Sequence, residues 1–238
     1  MIFGAILAGG TGSRMNISEM PKQFLPLDKK PIIIHTLEKF LMSLRLDYIY
    51  LGIHKEWMLF TEDLIQKYVP MHKEKIKIIE GGTDRNSTIM NVIKGIEEDH
   101  GENDDHIIIT HDSVRPFVSL KIIEDNIDAA LKHGACDTAV NATDTIVVSE
   151  DNMFITSVPE RKKMYQGQTP QSFNINKLKK YYYDLNEDER LALTDACKIF
   201  VVRNHPVFLV KGSVSNFKIT TIEDYKIAQS LVGGIVVD

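Results

Sequence analysis

An apolar run at residues 2–7 opens directly into Ala8-Gly9-Gly10-Thr11-Gly12-Ser13-Arg14-Met15. Glycines let backbone N–H groups come close to an anion, and successive N–H groups can form a concave nest for phosphate oxygens. Arg14 puts a cation inside this loop. Lys22 puts a second one in Met20-Pro21-Lys22-Gln23-Phe24-Leu25, a segment stiffened by Pro21 and Pro26. Two fixed cations could flank one phosphate and neutralise charge that builds on it during transfer. Neither common phosphate-loop template fits. A Walker loop needs Gly-Lys-Ser/Thr and no lysine lies here, and a dinucleotide fingerprint counted from Gly10 and Gly12 would need glycine at Met15. Each cation alone reads as a solvated surface charge; their joint occurrence at the exit of a first strand points to a phosphate ligand.

Other segments carry weaker local signals. In Gly81-Gly82-Thr83-Asp84-Arg85-Asn86-Ser87 the polar residues offer N-cap chemistry for a following helix, so the block by itself reads as a helix start. Asp112, in His111-Asp112-Ser113, follows the strongly apolar run 107–110 and would face the same sheet edge as the glycine loop. A carboxylate there could hold Mg²⁺ on phosphate oxygens, or could cap the next turn. Arg161 and Lys218 have no local partner and read as surface charges. Tyr181-Tyr182-Tyr183 lacks the basic groove that base stacking requires and reads as packing. The eight histidines show no metal-ligand spacing, and Cys136 and Cys197 form neither a close pair nor a zinc cluster.

These residues need a scaffold, and the hydrophobic pattern describes one. Strand-length runs at 2–7, 48–54, 76–79, 107–110 and 138–140 alternate with helical periodicity at 31–44, 57–68, 88–96 and 120–133. That order implies an α/β fold with a doubly wound, mostly parallel sheet. At 144–158, two β-rich runs around Ser149-Glu150-Asp151-Asn152 predict an antiparallel hairpin arm. Helices at 177–183, 195–202 and 222–231, and strands at 207–210 and 217–219, complete the reading. No repeat or linker divides residues 1–238, so one domain is expected. With 28 Lys and Arg against 33 Asp and Glu, a net charge of −5 argues against nucleic-acid wrapping, and no stretch reaches membrane-spanning length. A cytoplasmic protein is expected.

In their order along the chain, Ala-Gly-Gly-x-Gly-x-Arg-Met, Pro-Lys-Gln, 81–87, His111-Asp112-Ser113-Val114-Arg115-Pro116, Gln168-Thr169-Pro170-Gln171, Thr194-Asp195 and Lys218 resemble the cytidylyltransferases that make CDP-alditols. The likeness covers nearly the whole chain. It implies a Rossmann-like nucleotidyltransferase, with Arg14 and Lys22 catalytic. It implies a CTP site of Leu7, Ala8, Gly9, Gly10, Gly81, Gly82, Thr83, Asp84, Arg85, Asn86, Ser87 and Ser113. It places Asp112, Arg115, Thr145, Arg161, Thr169, Thr194 and Lys218 around an alditol phosphate, with Mg²⁺ as divalent cation and Asp112 a candidate ligand. It further implies a homodimer whose arms cross, so that Arg161 and Thr145 serve the neighbouring site. Residues 165–171 and 195–198 look like the ribitol branch, whereas methylerythritol enzymes tend to carry Asp-Glu-Ala after the matching threonine. The expected reaction is CTP plus D-ribitol 5-phosphate to CDP-ribitol and pyrophosphate, supplying teichoic-acid or other cell-wall precursors. The alternatives are methylerythritol phosphate as acceptor and a non-catalytic CTP-binding module.

Overall fold

The computed structural model describes residues 1–10 and 20–233. β1 (Ile2–Ala8), β4 (Tyr48–Ile53), β5 (Ile76–Glu80) and β6 (Ile107–Asp112) are parallel neighbours, and β2 (Pro26–Leu27) pairs separately with β3 (Lys30–Pro31). β7 (Ala135–Asn141), β8 (Tyr165–Asn174) and β9 (Phe208–Lys211) complete a sheet of order β5-β4-β1-β6-β8-β7-β9. Of these strands β8 alone runs against its neighbours. Helices α1 (Ile32–Leu41), α2 (Met58–Tyr68) and α4 (Leu120–His133) bury Ile33, Leu37, Leu64 and Ile123 on one face. On the other, α3 (Arg85–His100), α5 (Ile175–Tyr183) and α7 (Cys197–Val202) bury Ile89, Leu178 and Phe200. Each such side chain contributes roughly 1.5–3 kcal/mol. Two apolar faces explain why β1, β4 and β6 read as continuous hydrophobic runs. The short α6 (Glu187–Leu191) and the closing α8 (Ile222–Val232) flank this core, α8 resting on Leu27, Val114 and Ile219 through Ala228.

The doubly wound, mostly parallel sheet is as expected. Three local readings differ. Strand β8 is absent from the sequence reading, because its polar stretch Gln168-Thr169-Pro170-Gln171 argues against a central strand. Its ladder skips the proline: the pairing jumps from Asp137↔Gln171 to Ala139↔Gly167, leaving residues 168–170 outside the register. Residues 217–219 form no strand; Ile219 is instead held by a hydrogen bond from its N–H to the Val114 carbonyl. The arm at 144–158 is a turn closed by one bridge, Val148↔Ser157, instead of a ladder. Asp151 Oδ1 accepts from the N–H groups of Met153 and Phe154 at 2.9 Å each, which sets the turn.

Candidate active site

A cleft of about 360 Å³ opens at the carboxyl ends of β1 and β6, where ligands sit in open α/β sheets. Leu7, Ala8, Gly9 and Gly10 line one side; Gly82, Thr83, Asp84 and Arg85 line another; Asp112, Ser113, Lys22 and Lys218 complete it. Arg14 lies outside the described residues. Lys22 begins a short 3₁₀ turn, Lys22–Phe24, whose entry is set by Pro21. Gln23, a lining residue that motif reasoning passed over, donates from Nε2 to the carbonyls of Ala8 at 2.9 Å and Gly10 at 3.2 Å. It thereby ties the lysine segment to the start of the glycine loop.

Two glycine segments meet because neither carries a Cβ. A Cβ on Gly81 would stand 3.3 Å from Gly9 Cα, and one on Gly82 would stand 2.3 Å from Ser87 Oγ. Asp84 caps α3, accepting from the N–H groups of Asn86 at 2.7 Å and Ser87 at 2.9 Å, while Ser87 Oγ accepts from Asp84 N–H. This reciprocal box fixes the first turn of α3, with the Asp84 carboxylate taking the N–H groups of Asn86 and Ser87 at the cleft edge. Thr88, which also lines the cleft and belongs to the same N-cap reading, accepts from Gly82 N–H and donates to the Asp84 carbonyl, locking the turn. The helix-start reading of this block is correct, and Gly82, Thr83, Asp84 and Arg85 line the cleft while Gly81, Asn86 and Ser87 do not.

Asp112 is the electrostatic centre. Its Oδ2 lies 3.0 Å from Lys218 Nζ and 3.3 Å from Arg115 Nε, and its Oδ1 lies 3.5 Å from Arg85 Nε. Burial alone would raise its pKa, but Arg85, Lys218 and Arg115 outweigh that and hold the carboxyl well below the usual range. With both oxygens facing cations, Asp112 does not fit the part of a magnesium ligand. It holds positive charge at the cleft floor instead. Among the described residues no group of three or more His, Cys, Asp or Glu could hold a metal ion.

Asp112 is fixed from behind. Its N–H donates to Thr169 Oγ1 at 3.1 Å, and that hydroxyl sits 2.9 Å from His111 Nδ1. Burial lowers the His111 pKa to about 4, so the ring is neutral. Its Nε2 lies 3.2 Å from the Arg115 carbonyl, which can only accept, so Nε2 carries the proton and Nδ1 accepts from Thr169. The Thr169 hydroxyl thus gives its proton to His111 and accepts from the Asp112 N–H within the protein. Arg115 Nη1 donates to the Asn216 carbonyl at 2.8 Å and so brings the Lys218 segment to Asp112 across a long sequence gap.

Thr145, Arg161 and Thr194 are exposed and do not line this cleft. Arg161 donates to the Thr143 carbonyl at 3.3 Å, across the base of its own arm.

Residues 2–233 match the family described as 2-C-methyl-D-erythritol 4-phosphate cytidylyltransferase, IspD. The chain belongs to this family. Among solved structures it is similar to 4-diphosphocytidyl-2C-methyl-D-erythritol synthase from Anaerococcus prevotii, at 27% identity and TM-score 0.79 over 98% of this chain and 99% of that one. It is also similar to the 2-C-methyl-D-erythritol 4-phosphate cytidylyltransferase of Francisella tularensis, at 26% identity and TM-score 0.77 over 95% of this chain and 97% of that one. The corresponding enzyme from Thermus thermophilus shares the fold at 22% identity, with TM-score 0.76 over 98% of this chain and 100% of that one. This IspD-family chain is accordingly an enzyme, a CTP-dependent cytidylyltransferase, which removes the reading as a non-catalytic binding module. No helix among its described residues is long and apolar enough to cross a membrane.

Proposed function

We propose that this cytidylyltransferase joins CTP to D-ribitol 5-phosphate, giving CDP-ribitol and pyrophosphate. A phosphate oxygen of the alditol attacks the α-phosphorus in line; the new O–P bond forms as the bond to the β-phosphate oxygen breaks, and pyrophosphate leaves with that electron pair. No covalent enzyme intermediate is needed, because positioning and charge stabilisation carry such transfers. The observation that supports this chemistry is the cation cluster of Arg85, Arg115 and Lys218 on Asp112, at the floor of a cleft walled by two glycine segments. In this reading Arg14 and Lys22 neutralise charge on the α-phosphate. Leu7, Ala8, Gly9, Gly10, the 81–87 segment and Ser113 hold CTP. Lys218 and Arg161 take the acceptor's phosphate, and a divalent cation accompanying CTP would add positive charge at its phosphates.

The exposed arm, with Met153 at 77% and Phe154 at 71% exposure, fits a homodimer in which arms cross and bring Arg161 and Thr145 to the neighbouring cleft. We place the whole chain, as one catalytic domain, in the cytoplasm, feeding teichoic-acid or related cell-wall synthesis.

The acceptor has a second reading. The names of the family and of its solved relatives favour methylerythritol 4-phosphate, which would put the enzyme in isoprenoid synthesis. Ribitol phosphate is favoured by Asp195-Ala196-Cys197-Lys198 and by residues 165–171, which resemble the ribitol branch. Incubating the enzyme with CTP and each alditol phosphate in turn, and measuring pyrophosphate together with product mass, decides between them. CDP-ribitol is expected; exclusive turnover of methylerythritol phosphate would reverse the assignment.

A further inference from the structure

One face of the sheet changes character row by row towards the cleft. The ladder aligns Phe3, Ile108, Phe173 and Ala135 in one row, all fully or nearly buried against α3, α5 and α7. Two residues further along β6 the row reads Ala5, Thr110, Gln171 and Asp137, and the next position on β6 facing this side is Asp112. Asp137 therefore stands about 7 Å back from Asp112 along the strand direction and about 10 Å across the sheet at the backbone. It is partly exposed, not sealed in the core.

The groups around Asp137 come from every element packed on it. Gln171 Nε2, from β8, donates at 3.1 Å to Asp137 Oδ1 and at 3.1 Å to Asp195 Oδ2. Asp195 Oδ1 is already taken by the Lys198 N–H at 3.0 Å. Cys197, on α7, and Arg85, on α3, also act on the Asp137 carboxyl. Arg85 touches Asp112 on its Nε side, while its Nη1 and Nη2 are buried and donate to no acceptor among the described residues. Gln171 Oε1 is buried and accepts from nothing in the same set. On the remaining side Gly167 is open: a Cβ there would come no nearer than 3.5 Å to Asp137 Oδ2. Unmet donors and an unmet acceptor beside a partly exposed carboxyl call for a group that both donates and accepts, and a hydroxyl does both.

We propose that Asp137 is an acceptor-specificity residue, binding hydroxyl groups of the alditol chain beyond the phosphate held near Asp112 and Lys218, with Arg85 and Gln171 completing the polyol subsite. This rests on the alditol-phosphate reading above. A carboxylate oxygen accepts strongly from hydroxyl donors, and a site built to pair with a substrate hydroxyl rejects an analogue that lacks it in that position. Methylerythritol phosphate has a shorter chain with a methyl branch, so Asp137 would discriminate against it.

The test compares the full-length enzyme with Asp137→Ala and with the near-isosteric Asp137→Asn, which keeps a partner for Gln171 if the alanine variant does not fold. Pyrophosphate release is followed with CTP varied, with ribitol 5-phosphate varied, and with methylerythritol 4-phosphate varied. The expected result is a loss of roughly 10- to 100-fold in kcat/KM for ribitol 5-phosphate, carried mainly by KM, with KM for CTP within about twofold of wild type. Methylerythritol phosphate should lose less than about threefold. Equal losses on both acceptors, a matching loss on CTP, or no loss at all would overturn the proposal. Wild-type enzyme that uses methylerythritol phosphate alone would instead overturn the ribitol assignment. In that case a raised KM for that acceptor in Asp137→Asn supports the subsite, and an unchanged one overturns it.

Discussion

The two walls of the cleft are built differently. The wall on β1, β4 and α3 is closed within one chain: glycine segments abut, the α3 cap satisfies its own donors, and Gln23 pins the loop that begins at Gly9. The wall on β6, β8, β7 and the arm is left open, with Arg161, Thr145 and Thr194 exposed and the buried Oε1 of Gln171 lacking a partner among the described residues. In the proposed reading, nucleotide recognition would rest on backbone geometry, which a single fold can complete. Recognition of a small polyol phosphate needs many directed side-chain contacts, and in the proposed reading the open wall is where the substrate, and the arm of a second copy, would supply them.

The sharpest way to break this contrast is at the closed wall. Lys22→Ala should keep its circular dichroism spectrum and lose on the order of 10²–10³ in the rate of pyrophosphate release, the cost of removing about 2.7–4 kcal/mol of transition-state charge stabilisation. Turnover near wild type would remove Lys22 from the reaction.

At the open wall the loss should be smaller and selective. Arg161→Ala and Lys218→Ala should each weaken use of the alditol phosphate by about 1.5–3 kcal/mol while CTP binding by calorimetry is largely kept. Mixed expression of Arg161→Ala with Lys22→Ala then tests whether arms cross. If they do, about half the dimers are mixed and each has one intact site, so activity should return to about a quarter of wild type. If Arg161 serves its own cleft, mixing restores nothing.

The smallest expected effect is a pH dependence of stability. Burial and Asp195 raise the Asp137 pKa to about 6, burial being the larger cause. A carboxyl whose folded pKa exceeds its unfolded value binds its proton more tightly when folded, so stability falls as pH rises from about 4 through 6. Asp112 has the opposite sign: its folded pKa is depressed, so its contribution is present above about pH 4 and is lost as pH falls further. Asp137→Asn should therefore be more stable than wild type at pH 8 by roughly 1–2 kcal/mol, after allowance for solvent screening of a partly exposed group, with the gain fading as pH falls from about 6 to about 4. Urea denaturation at the two pH values measures it, and a gain of equal size at both would contradict the assignment.

The contrast also explains what could be read in advance. The closed wall is legible in the sequence because its determinants are local: glycines, a capping aspartate and prolines act within a few residues of themselves. The open wall is not. Pro170 and the polar run around it disguise β8, and only the skipped register at 168–170 lets that run lie between two strands. Thr169, expected at the acceptor, spends its hydroxyl on Asp112 and His111. Asp112 has the look of a metal ligand in the sequence alone, and the folded chain sets Arg85, Arg115 and Lys218 upon it instead.

Hydrophobic periodicity and punctuating residues by themselves determined the layered α/β architecture and the position of the glycine loop, because those signals repeat within one helix turn or one strand. Only the folded chain decided that Arg115 carries the Lys218 segment to Asp112 and that Gln171 bridges Asp137 and Asp195. Those pairings join residues far apart along the chain, and the charge a carboxyl holds depends on which cations and how much water the tertiary packing leaves beside it.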